Sequence, residues 1–184
     1  MSGMLRKLII LVTFVVGLGI FFYPIVSDWL STKEHYSVIT QHNEALAAMS
    51  EEMKENELEK AKEYNNEINE NSIPYDDPFS ENFQEEANGD YFNILDVGET
   101  MGSIEIPSIG VKIPIYHGVS EDVLSQGIGH MSNSSLPVGG EGTHSALTGH
   151  RGLPSSKLFR DLDEVKMDDV FYIHTLGETL AYQV

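Results

Sequence analysis

The sequence contains no cysteine. That excludes a disulfide framework, a thiolate metal site and any thiol chemistry carried by these 184 residues themselves. Basic residues are also scarce, 11 against 29 acidic, for a net charge of −18. Phosphate recognition needs clustered Lys and Arg, so a nucleic-acid partner is excluded. No Gly-x-Ser-x-Gly elbow and no His-x-x-x-His pair is present, which removes the usual sequence marks of a serine hydrolase and of a zinc site. No other metal or cofactor motif stands out.

What is present is unevenly distributed. Leu8–Val26 is an uncharged run of 19 residues rich in Leu, Ile, Val and Phe. As a helix it reaches about 28 Å, roughly one hydrocarbon core. Arg6 and Lys7 precede it and Asp28 follows it. The excess of positive charge before the run predicts residues 1–7 in the cytoplasm, a single-pass anchor over 8–26, and everything after Ser27 outside the cell membrane. The exit Ile25-Val26-Ser27-Asp28-Trp29 lacks the small-x-small pattern of a cleaved signal, which favours a retained anchor.

Ser27–Thr100 holds 19 acidic and four basic residues. Its first part, 27–71, has neither Gly nor Pro and predicts one helical stalk. Leu46, Met49, Met53, Ala61, Tyr64 and Ile68 form a narrow apolar stripe that packs on the following domain. Asn56 and Lys60 interrupt that seam, against a coiled-coil dimer, and the oligomeric state is left open. Residues 72–98 read as a linker. It contains Asp76-Asp77-Pro78-Phe79, where Pro78 fixes the backbone and presents Asp77 and Phe79 rigidly.

From residue 99 the character turns to short β runs broken by Gly and Ser. The expected strands are Gly102–Ile106, Lys112–Tyr116, Ser145–Thr148, Val170–Thr175 and Thr179–Val184. Short helices are expected over Glu121–Gln126, capped by Ser120, and over Ser156–Leu162, capped by Ser155. The class is mainly β. Leu180, Tyr182 and Val184 alternate up to the last residue, so the domain is expected to be incomplete in this chain.

Seven histidines are candidates for chemistry. His35 and His42 lie in the acidic helical segment and are expected to be solvated. His117, His130 and His174 are expected to pack or hydrogen-bond. His144 and His150 flank the Ser145–Thr148 strand. His150 is the stronger candidate, because Gly149 and Gly152 let other groups approach a ring held at a strand end.

Three segments carry a resemblance. Gly102-Ser103-Ile104-Glu105-Ile106-Pro107, Ile113-Pro114-Ile115-Tyr116-His117-Gly118 and Leu147-Thr148-Gly149-His150-Arg151-Gly152 resemble the sortases, membrane-anchored cysteine transpeptidases of Gram-positive bacteria. Gly129-His130, Ser135 to Gly140 and Leu153 to Phe159 are similar to the class C, pilus-assembling branch. The resemblance implies a closed eight-stranded β-barrel, of which this chain supplies the first portion. It implies that His150 is the catalytic histidine, and that the partner cysteine and arginine lie beyond Val184. Arg151 and Arg160 precede the expected cysteine and do not match that arginine. It further implies that Asp77, Pro78 and Phe79 form a regulatory lid. The implied substrates are pilins or surface proteins bearing an LPxTG-like motif, joined to an amine such as a pilin lysine. Without the cysteine this chain is expected to be inactive alone. The alternative is an anchored, non-catalytic pilus-associated or adhesin-like protein.

Overall fold

The computed structural model describes residues 3–71, 90–153 and 156–184. Two helices lead into a six-stranded mixed sheet. Helix α1, Gly3–Ala48, runs unbroken through the apolar segment, with Pro24 inside it, into the acidic segment. Its apolar part is long and hydrophobic enough to cross a membrane and is unburied. Helix α2, Glu51–Asn71, follows after a break.

That break corrects the single stalk helix. Ser50 starts a new helix, its hydroxyl accepting from Met53 N–H at 3.2 Å, the bond an N-cap makes. The stripe breaks with it. Leu46, Ala61, Tyr64 and Ile68 are buried, whereas Met53 is 54% exposed.

The strands are β1 Gly102–Ile106, β2 Val111–His117, β3 Ile128–His130, β4 Leu147–Thr148, β5 Val170–Thr175 and β6 Glu178–Gln183. Their order is β4-β3-β2-β1-β5-β6, so the sheet is open rather than closed among the described residues. β2 and β3 run parallel, bridged by α3, Glu121–Gln126. Ser120 caps α3, accepting from Val123 N–H. Strand β3 was not expected from sequence. It has three residues with Gly129 at the centre, and only its neighbours β2 and β4 define it. Gly129 has no room for a side chain, because a Cβ there would lie 2.3 Å from the Gly118 carbonyl.

The helix expected over Ser156–Leu162 does not form; only Leu162–Glu164 makes a 3-10 turn. Ser156 exchanges backbone hydrogen bonds with Leu153, and Leu158 sits at φ 42, outside the right-handed helical region. Both Leu158 and Phe159 are buried, which one face of a short surface helix does not achieve for adjacent residues. The expected strand from Ser145 shortens to Leu147–Thr148.

The core joins the sheet to the helices. Ile104, Ile113, Ile115, Ile128 and Ile173 pack with Tyr91, Leu95, Leu136 and Leu158, and with Leu46, Ala61, Tyr64 and Ile68 of the helices. Polar bonds fix the fit. Tyr64 Oη donates to the Ser132 carbonyl. Asn65 grips Leu136 at both backbone groups, donating to its carbonyl at 3.2 Å and accepting from its N–H at 2.6 Å. Asn65→Ala would strand both groups in the interior. We expect a loss of about 1–3 kcal/mol, read as a lower urea midpoint at unchanged slope.

Candidate active site

His150 follows β4 at the end of the sheet. Its carbonyl accepts from Phe159 N–H at 3.1 Å, tying it to the loop after residue 156. Gly149 brings that end close to β3. A Cβ there would lie 2.5 Å from Ile128 Cδ1 and 3.2 Å from the Phe159 ring. The glycine beside His150 therefore serves close packing, as the sequence suggested for its flanks.

The imidazole itself is accessible, with 26% of its side chain exposed. Nε2 lies 3.7 Å from Glu121 Oε2, in the first turn of α3. The separation is long for a hydrogen bond but suits an ion pair whenever the ring is protonated. Glu121 is 85% exposed, so its pull is screened by solvent. Sequence reasoning did not pair these residues. The only signal was an acidic residue directly after the Ser120 cap, a common place for one.

The neighbouring arginines are engaged elsewhere. Arg151 Nη2 pairs with Asp163 Oδ1 at 3.1 Å, and Arg160 Nη2 donates to the Leu153 carbonyl at 3.1 Å. His144 is exposed, and its backbone bonds to Ser135. Asp77, Pro78 and Phe79 lie outside the described residues. No group of three or more His, Asp or Glu among the described residues could hold a metal ion.

The remaining histidines are structural. His130 is fully buried, its Nε2–H donating to the Ser135 carbonyl at 2.9 Å and its Nδ1 facing Tyr91 Oη at 3.0 Å. Burial pushes its pKa down to about 4. His117 Nε2 donates to the Ile94 carbonyl at 2.7 Å, and burial lowers its pKa too. His174 and Lys112 both bond Glu105 Oε2, at 3.0 and 2.7 Å. The Lys112 bond, aided by His174, holds the Glu105 carboxyl below its ordinary value. His35 and His42 are not solvated as expected. They are 6% and 4% exposed, because α1 lays that face on the end of α3 and on the segment before β1, which offer the Gln126 and Val97 carbonyls as acceptors.

A ring at a strand end, anchored by its backbone and open on one side, can give and take a proton. It has no thiol beside it among these 184 residues. A family model described as the sortase domain matches residues 104–184, which include His150. Sortase C1 of GBS Pilus Island 1 is 40% identical, with a TM-score of 0.73, over 82% of this chain and 70% of that one. The chain belongs to the sortase family.

Within the family, similar solved structures include class C sortases. The lid-mutant of Streptococcus agalactiae sortase C1 is 40% identical, with a TM-score of 0.69, over 79% of this chain and 73% of that one. Sortase D of Bacillus subtilis is 34% identical over 74 residues, 40% of this chain. That match spans 34% of the length of sortase D.

Proposed function

We propose that the chain carries the histidine part of a membrane-anchored cysteine transpeptidase. A thiolate attacks the peptide bond of an LPxTG-like sorting signal and forms a thioester. His150 protonates the departing amine and later takes a proton from the incoming one. An arginine donates to the developing oxyanion. The acyl group passes to an amine, a pilin lysine in this reading, to build a pilus. These 184 residues hold no cysteine, and in this reading the arginine too lies outside them. The N-terminus lies in the cytoplasm, Leu8–Val26 spans the membrane, and the stalk and sheet lie outside.

The observation that carries this reading is the placement of His150 on the end of β4, backbone-anchored and ring-exposed, inside the sortase-matched segment. A second reading is an anchored non-catalytic surface protein with a sortase-type sheet, and the cysteine-free sequence is common to both readings. One experiment separates them. The 184-residue chain is compared with a longer one that supplies the cysteine and arginine. The addition comes from the reading frame past Val184 or, where that stops, from the matching C-terminal segment of S. agalactiae sortase C1. We expect no cleavage of an LPxTG-like peptide by the first and cleavage with transfer to an added amine by the second. An inactive second chain, folded by circular dichroism, supports the scaffold.

In this reading Asp77, Pro78 and Phe79 form a lid, Asp77 pairing the arginine and the Phe79 ring covering the thiol. The lid-mutant relative supports it. Asp77→Ala with Phe79→Ala, in the cysteine-bearing chain, should speed labelling by a thiol reagent. An unchanged labelling rate counts against the lid.

A further inference from the structure

Three side chains of α1 reach the sheet domain at seven-residue intervals, and each ends on a backbone group. Asp28 Oδ1 accepts from Lys157 N–H at 2.7 Å. His35 Nε2 donates to the carbonyl of Gln126, at the end of α3, at 3.0 Å. His42 Nδ1 donates to the Val97 carbonyl at 2.7 Å, with the Thr100 hydroxyl 2.9 Å away. Seven residues are nearly two helical turns, so all three share one face, with Ile39 and Leu46 buried beside them.

The tautomer of His42 follows from its partner. A carbonyl only accepts, so Nδ1 carries the proton and the neutral ring leaves Nε2 bare. That Nε2 is buried and has no hydrogen-bond partner among the described residues. A second proton on the ring would have to sit there, as a buried charged donor without an acceptor.

We propose that His35 and His42 form an acid-released clamp, which holds α1 on the sheet domain while both rings are neutral and frees it when they take up protons.

The surroundings favour the neutral form. Burial lowers the pKa of His35, and Gln126, Glu34 and Asp28 oppose it only in part. Burial also lowers that of His42, opposed only by the bonds to Val97 and Thr100. Lys112 of β2 and Lys157 line the hollow beside His35, and both are cations. Beside His42 lie Lys112, His174 of β5 and Glu178 of β6. Glu105 already engages Lys112 and His174. β1 adds Ser103, which does not titrate. A proton arriving on either ring therefore meets little that would stabilise it where it lies. It is better solvated with the helix lifted off. The clamp stands apart from the transpeptidase reading and needs no cysteine.

The cysteine-free sequence makes the test direct, because introduced thiols are the only labelling sites in this chain. Ser37→Cys on α1 and Asp122→Cys on α3, both at exposed positions, carry spin labels in the full chain in detergent. Their distance is read by pulsed electron resonance at pH 7.5 and 5.0, with amide exchange of β1 and β2 in the same samples. We expect one narrow distance at pH 7.5 and a broad, longer one at pH 5.0, with the strands still protected. His35→Gln with His42→Gln keeps an uncharged donor at each position and should hold the narrow distance at pH 5.0. Should that double variant be undocked already at pH 7.5, each single variant should move the release midpoint to lower pH. An unchanged distance in the parent at pH 5.0 overturns the clamp. So does equal release in the variants, or loss of strand protection at the same pH as release.

Discussion

Replacing His150 with alanine should lower kcat for peptide transfer by about 10²–10⁴-fold in a chain that carries the cysteine, the range for loss of a general acid–base group. KM for the sorting peptide should change far less. His150 is tied in place by its backbone carbonyl, not its ring, so the substitution leaves β4 and the Phe159 loop intact. The ring is 26% exposed, so the substitution also removes some packing, which circular dichroism of the variant checks. Steady-state kinetics with an LPxTG-like peptide and an amine acceptor read the effect. Glu121→Gln should be mild, because a carboxylate 85% exposed and 3.7 Å away contributes little through water. A Glu121 effect as large as that of His150 would mean that the pair acts as a unit.

Acid should destabilise the fold well above the pH at which ordinary carboxylates protonate. His130 is the main cause. Its pKa is about 4 in the fold and near 6.5 when unfolded. Between those values the unfolded chain binds more protons, so stability falls as pH falls from 6.5 toward 4. A shift of this size contributes about 2 kcal/mol of loss by pH 5 and about 3 kcal/mol below pH 4. The direction is the same for His35, His42 and His117, all lowered by burial. Urea unfolding at pH 7.5 and 5 measures the loss. His130→Gln should be less stable at pH 7.5, because Ser135 and Tyr91 lose an imidazole partner. Its further loss on going to pH 5 should be smaller than the parent's by about 2 kcal/mol.

Much of the fold was legible because local pattern decides it. The short β-type runs Gly102–Ile106 and Val170–Thr175, and the Ser120 cap before Glu121, placed β1, β5 and α3 where they are found. The failures share a cause in tertiary contact. Ile128–His130 is a strand only because β2 and β4 flank it. Residues 156–162 have a helical composition, but Lys157 gives its N–H to Asp28 of α1 and Leu158 takes a left-handed turn. His35 and His42 looked solvated because an acidic helix does not announce which face docks. Their seven-residue spacing from each other and from Asp28 was the available signal. For the site, the glycine beside His150 was readable from sequence. Glu121, distant in sequence, was not, since only the sheet brings the two together.

In the proposed function His150 serves a thiolate supplied from outside these 184 residues. Intact-mass spectrometry after incubation with an LPxTG-like peptide tests it most directly. We expect an acyl adduct on the cysteine-bearing chain, its loss when His150 is replaced with alanine, and no adduct on the 184-residue chain. An adduct on the cysteine-free chain, or one that forms equally fast without His150, would contradict it.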